Sequence, residues 1–318
     1  MTDPQATEES LPVGPAGNRE WLRAAALLFA ILVLWDSAAL VVVPFMILLS
    51  VLPVRRPAAF VVAGLGALLI FGFQSRDSGL WYMELAWTVL VGGWFAALTL
   101  RRPDARLLHR GLAAVGASVV VVAAAFLARP GWWGVVDWSV RDELTTGAVQ
   151  ALGILREVQG SEGLPPGFSD TVYGMAEAQA NLFPAFLGLA TLAGLAVAWW
   201  LYARLSLAQD GALAPLRELR FDDQLIWVFI GGLLLVVLTA GEGWTRIGSN
   251  TLVFMGVLYV LRGAAVVLFV NGGLSWIGGI VLALAMLLVA PVILGATLLI
   301  GLGDTWLDIR EKVRTSVG

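Results

Sequence analysis

Long apolar runs separated by brief polar breaks dominate the chain. Runs such as FVVAGLGALLIFGF (60–73) and VLALAMLLVAPVILGATLLIGL (281–302) hold no charge and do not alternate. A membrane-barrel strand would alternate apolar and polar residues over about 10 positions, whereas a membrane helix needs roughly 20 predominantly apolar residues. The pattern therefore predicts an all-α, polytopic membrane protein with helices near 22–35, 38–53, 57–73, 80–99, 108–128, 184–203, 224–240, 250–270 and 274–302. That makes eight or nine crossings. The first two runs are short and parted only by Asp36 and Ser37, with Pro44 inside the second, so they form a broken pair or a re-entrant element. The last run is near 30 residues, or about 45 Å of helix, and must tilt, kink at Pro291 or fold back.

The hydrophobic pattern fails over 130–182. This insert carries Asp137, Asp142, Glu143, Glu157, Glu162, Asp170 and Glu177 against Arg141 and Arg156. Val140, Leu144, Ala148, Ala151, Leu152, Leu155 and Val158 recur at helical spacing, which predicts an amphipathic helix over 136–159 on the membrane or capping the bundle. GSEGLPPGFSD (160–170) ends it, and a second helix leads through Asn181 and Pro184 into the next span. On this reading the chain divides into a disordered cytoplasmic tail (1–20), N-terminal spans (21–129), the acidic insert (130–182), C-terminal spans (183–303) and an amphipathic C-terminal helix (304–318).

Charge sets the orientation. Arg55 and Arg56, the group Arg101, Arg102, Arg106 and Arg110, and then Arg204, Arg217 and Arg220 fall on one side, which the positive-inside rule makes cytoplasmic. The acidic insert then faces outward. Nine crossings would carry Arg310, Lys312 and Arg314 outside as well, against the rule, so the side of the C-terminus stays open.

Composition agrees with the pattern and removes several kinds of chemistry. The residues are 59% apolar and 14% charged, where soluble proteins average about 45–50% and about 25%. There is no cysteine and a single histidine, His109, so disulfides, thiolate or histidine metal clusters and Ser/His/Asp triads have no ligands or base to draw on. No nucleophile and base pair, metal set or phosphate loop is visible. We expect no enzyme, no cofactor and no nucleic-acid partner. The 14 tryptophans mostly mark span ends, as an interfacial belt does.

Charges at membrane depth are costly and face a partner or a cavity. Arg262 lies in VLYVLRGAAVVLF, more than two turns from either end of an apolar run, and Glu84 lies in WYMELAWTVL, one turn before Trp87. Two readings stand side by side. Arg262 locks two helices through an ion pair, or Arg262, Glu84 and Trp87 line a cavity where the arginine fork meets an anionic ligand. Asn250 is placed at a helix start as a cap, and Asn271 opens a Gly-Gly turn.

The chain closes its last run with GLGDTWLDIREKVR (301–314). On one helix Leu302, Trp306, Ile309 and Val313 form an apolar stripe, Asp304, Asp308 and Glu311 an acidic one, and Arg310 and Arg314 a basic one. Such ordering predicts a helix lying along the interface or against the bundle, with Trp306 at headgroup level. Together with SNTLVFMGVLYVLRGAAVVLFV (249–270), this ending resembles the YybS-like family of bacterial membrane proteins, a domain-of-unknown-function family. The resemblance carries Asn250, Gly263, Gly303, Asp304, Trp306, Asp308 and Arg310. It departs at Arg262, where glutamine commonly precedes the glycine.

That family is grouped by topology with the substrate-binding S components of energy-coupling-factor importers. The resemblance implies a multi-pass protein of the bacterial cytoplasmic (inner) membrane, in contact with the lipid bilayer, that binds or helps to transport an unidentified small molecule. It also implies docking on a coupling protein through Ala26 and Ala30. The alternative is a structural or regulatory membrane protein that recruits an envelope or cytoplasmic partner through its C-terminal helix.

Overall fold

A helix that is apolar on every side has no face for water and must be surrounded. ALVVVPFMILLSV is such a sequence, and helix α1 (Ala39–Val51) buries nine of its 13 residues. At about 20 Å it is too short for a hydrocarbon layer of about 30 Å, and it sits inside the bundle. This arrangement is seen in a computed structural model, which describes residues 38–54, 58–73, 79–159, 164–206, 213–238, 241–273 and 275–312. The expected run at 22–35, with Ala26 and Ala30, lies outside the described residues, as do the tail 1–20, Val313 and Arg314.

The helices that follow are α2 (Ala58–Phe73), α3 (Gly79–Arg101), α4 (Leu107–Ala128), α5 (Gly131–Gln159), α6 (Phe168–Ser206), α7 (Ile226–Val237), α8 (Glu242–Val270) and α9 (Trp276–Leu307). Two 3-10 turns, Leu216–Glu218 and Asp223–Leu225, lead into α7. No strand occurs among the described residues. Five helices, α3, α4, α6, α8 and α9, are long and apolar enough to cross a membrane, while α1, part of α2 and the segment Asp223–Val237 are apolar but shorter. The chain is an all-helical protein whose apolar helices are suited to a bilayer.

Two cores organise the bundle. The larger is centred on α1 and α6, with α2, α3 and α4 packed around them. The smaller gathers Phe221, Ile226, Met255, Leu258 and Tyr259 from α7, α8 and the segment before them. Helix α6 joins the two through its contact with α8.

Helix α6 runs for 39 residues straight through Pro184, so the change from insert to span near 183 is not a break in the helix. Proline has no N–H for the carbonyl of Ala180, and its ring crowds that carbonyl. The missing bonds are supplied by α8. Arg246 donates from Nη2 to Ala180 O at 3.1 Å and from Nε to Asn181 O at 3.3 Å. Asn250 donates from Nδ2 to Asn181 O at 2.8 Å and accepts from Ala185 N at 2.9 Å through Oδ1. Asn250 is therefore not a helix cap. It lies two turns inside α8, because Glu242–Asn250 extends the helix beyond its apolar run and places the amide against the gap at Pro184.

The far end of α9 is also unlike the expected single striped helix. At Asp308 the backbone enters the left-handed region (φ 42°, ψ 50°), which ends α9 and starts a separate short turn over 309–312. The stripes consequently do not continue through 304–312. Asp304 and Arg310 turn inward and are buried, while Trp306 remains exposed. Farther back, Val289 departs from helical geometry (φ −135°, ψ 35°) next to Pro291, so α9 is kinked there.

Helices α8 and α9 meet backbone to backbone. A methyl group on Gly263 would fall on the carbonyl of Thr297, and one on Gly301 would fall on the carbonyl of Tyr259. Only glycine permits that approach at both positions. Gly263→Ala and Gly301→Ala should each lower stability in detergent by about 1–3 kcal/mol, the usual cost of overpacking. Gly64→Ala, whose methyl meets nothing within 4 Å, is the control and should not lower it. Equal thermal midpoints for all three variants would show that the close approach is dispensable.

Candidate functional site

Burying an ion in an apolar interior costs several kcal/mol unless an opposite charge and well-aligned donors offset the lost water. Arg262 has two opposite charges and one aligned donor, Nε, while Nη1 and Nη2 lack hydrogen-bond partners. Its side chain is fully buried, and Nε donates to Asp304 Oδ2 at 3.0 Å across the α8–α9 contact. Nη1 lies 2.7 Å from Asp223 Oδ1, a close ionic contact without the alignment of a hydrogen bond. The Phe221 ring covers the guanidinium with its centroid 5.3 Å away.

Asp304 serves two cations. Arg310 Nη2 also donates to Oδ2 at 2.8 Å, and Arg310 Nη1 donates to Leu219 O at 3.0 Å. The left-handed turn at Asp308 is what brings Arg310 back over Asp304. Arg220 then pairs with Asp308 at 2.6 Å at the exposed rim. Arg220, Arg262 and Arg310 face Asp223, Asp304 and Asp308, so three positive and three negative groups sum to zero. The cluster ties α8, α9 and the 219–225 segment together, and it places residues 304–310 at the same end of the bundle as Arg217 and Arg220.

Glu84 and Trp87 lie elsewhere. Trp87 packs on the larger core and donates from Nε1 to Thr191 Oγ1 of α6 at 2.9 Å. The Glu84 carbonyl accepts from Thr88 Oγ1. Arg262 draws its ion-pair partners from α9 and the 223 turn, not from α3, so the ion-pair reading describes its surroundings. Among the other sequence-level candidates, Gly263 forms the helix contact, Asn250 fills the Pro184 gap, and Asn271 opens the turn in which Gly272 and Gly273 take positive φ.

A second buried arginine behaves differently. Arg110, one turn into α4, is 6% exposed. Its guanidinium lies 4.6 Å from the ring centroid of Trp199 and 5.8 Å from that of Phe95. Nε and Nη1 are buried without a hydrogen-bond partner, and no carboxylate pairs with Arg110 among the described residues. Aromatic faces contribute about 2 kcal/mol to a desolvated cation, less than the several kcal/mol that its burial costs. Sequence alone marks Arg110 only as one basic residue of a loop, because the rings that enclose it come from α3 and α6.

Beside Arg110 on the chain, His109 lines a groove of about 330 Å³ with Leu112, Asp222, Gln224 and Leu225. The groove lies between the start of α4 and the turn whose next residue, Asp223, reaches Arg262. No group of three or more metal-ligating side chains occurs among the described residues.

The opposite pole of α8 holds the insert. Arg246 Nη2 lies 2.6 Å from Asp137 Oδ1, and Arg141 Nε donates to Asp137 Oδ2 at 3.1 Å while its Nη2 reaches Asn181 Oδ1 at 2.8 Å. Burial by itself would raise the Asp137 carboxyl, but the hydrogen bonds and charges of Arg246 and Arg141 bring it below the ordinary carboxylate range. The lowered value means that the folded state favours the ionised form. Its contribution is complete above the unfolded carboxyl pKa and is lost as pH falls through the folded one.

Asp304→Asn removes the negative charge shared by two buried arginines and should cost about 3–5 kcal/mol. Arg310→Gln should cost less, because Asp304 keeps Arg262. Thermal unfolding in detergent ranks the two, and the reverse order would contradict the shared-carboxylate geometry. Asp137→Asn should lower the unfolding midpoint at neutral pH. The gap from the unsubstituted protein should narrow only below about pH 4, and a gap that narrows toward alkaline pH instead would refute the assignment. No protein-family model, curated protein or solved structure matches the chain, and the roles above rest on its own geometry.

Proposed function

We propose that the chain is a small-molecule binding or transport-related subunit of a bacterial inner membrane, similar in kind to an S component, and that its ligand site is the groove at His109, Asp222 and Gln224. The observation that carries this reading is the position of that groove. Asp222 and Gln224 flank Asp223, so a ligand held by the first two bears on the turn that contacts the Arg262 cluster. Its volume of about 330 Å³ falls within the 300–1,000 Å³ common for small-molecule sites. His109, Asp222 and Gln224 supply hydrogen-bonding groups, and Leu112 and Leu225 supply apolar wall.

In this proposal other, shorter apolar runs add to the five long helices to give eight or nine crossings, with α1 as the enclosed half of a broken pair. The 102–106 and 213–225 segments and the C-terminus face the cytoplasm, where a coupling protein would dock. Helix α5 is the amphipathic cap on the outer face, fixed by Asp137, Arg141 and Arg246. The resemblance to YybS-like proteins accords with this arrangement. Recruitment of a partner through a striped C-terminal helix has less support, since Asp304 and Arg310 are engaged inside the bundle.

The test is thermal unfolding of the purified protein against a panel of water-soluble vitamins and divalent transition metals. One member should raise the midpoint, and Asp222→Ala combined with Gln224→Ala should abolish that rise measured from the variant's own unliganded midpoint, which loss of the Asp222 cap on Gln224 N lowers by itself. If no member shifts the protein, or if the shift survives both substitutions, the groove is not the site.

A further inference from the structure

We propose that Arg110 anchors a phosphate-binding site at the start of α4. The contrast between the two buried arginines is the basis. Both arginines keep two buried nitrogens without a hydrogen-bond partner, Nη1 and Nη2 in Arg262 and Nε and Nη1 in Arg110, but Arg262 has Asp304 and Asp223 as counter-ions whereas Arg110 has none among the described residues. The rings of Trp199 and Phe95 interact with the face of the cation. They leave Nε and Nη1 unused, and either of these together with Nη2 forms a fork that matches two oxygens of one phosphate.

The helix start supplies a second set of donors. α4 is 22 residues long, and the N-cap residue before it, Arg106, makes no side-chain cap bond, so the first-turn N–H groups and the positive end of the helix dipole favour an anion there. Arg110 stands one turn into the same helix, with its guanidinium held between Trp199 and Phe95. The flanking charges have the right sign. Residues 101–110 contain Arg101, Arg102, Arg106 and Arg110 against Asp104, a net charge of +3 (four minus one, His109 neutral). All but Arg110 of these arginines are exposed. A buried arginine behind a basic rim at the end of a span fits the headgroup of an anionic phospholipid. A soluble phosphate ester offers the same group.

The experiment uses the full chain in a neutral detergent. Thermal unfolding is followed with phosphatidylglycerol, with phosphatidylcholine as lipid control, and separately with glycerol phosphate as the soluble probe. Phosphatidylglycerol should raise the midpoint by several degrees more than phosphatidylcholine. Arg110→Gln should abolish that difference, and Arg110→Lys, which keeps the charge but not the fork, should reduce it by at least half. A rise with glycerol phosphate alone that is also lost on substitution assigns the site to a soluble phosphate ester.

If neither probe gives a rise that depends on Arg110, the residue is a brace between α3, α4 and α6 and the proposal fails. Should Arg110→Gln not fold, Arg110→Lys decides. Phosphatidylglycerol and glycerol phosphate responses equal to those of the unsubstituted protein would overturn the fork.

Discussion

A guanidinium inside a hydrophobic bundle cannot be left to itself, and much of the C-terminal half is arranged around that constraint. Arg262 can be fully buried because Asp304 crosses from α9 to meet it. Asp304 can do so because glycines at 263 and 301 let the two backbones touch. Arg310 reaches the same carboxylate because Asp308 takes a left-handed conformation that reverses the chain. Each element looks local in isolation, yet together they satisfy a single electrostatic demand. Such networks are high-stakes, since one lost member leaves a neighbouring charge buried and unpaired.

A similar logic holds at the other pole of α8. There the unmet demand is a pair of backbone carbonyls opened by Pro184, and the answer is again a polar side chain from α8. Asn250 suits the gap because its amide carries both an acceptor and donors, so it can bond to Ala185 N and Asn181 O at once. Arg246 extends the repair to Asp137 and so holds α5 against the bundle. Helix α8 thus carries polar groups in its first turns and again at Arg262, more than two turns before its end, and links the smaller core to the insert.

Hydropathy made the helical class legible, along with the positions of most apolar helices and the cost of burying Arg262. It could not separate a helix that crosses a bilayer from one enclosed by its neighbours, since lipid and protein interior are equally apolar. Hence α1, which reads as half of a broken pair or as a re-entrant element, turns out to be enclosed over nine of its 13 residues. Single-residue geometry was also hidden. Nothing local in GSNTLVF distinguishes a cap from a plug, because the partner at Pro184 is distant in sequence. The stripes in 301–314 assumed continuous helical phase, and one αL residue at Asp308 cancelled it. Arg110 read as a topology marker, because its surroundings come from two other helices.

The repair at Pro184 has a consequence for the order in which the protein is made. Ala185 and Asn250 are separated by 65 positions, which translation covers in about 3–13 seconds at about 5–20 residues per second. Throughout that interval α6 exists without its plug. Nascent α6 must keep the region around Ala180 and Asn181 near water or a protein-lined channel until α8 follows. Its final seating in the membrane is therefore a late event, timed by a helix that has yet to be synthesised.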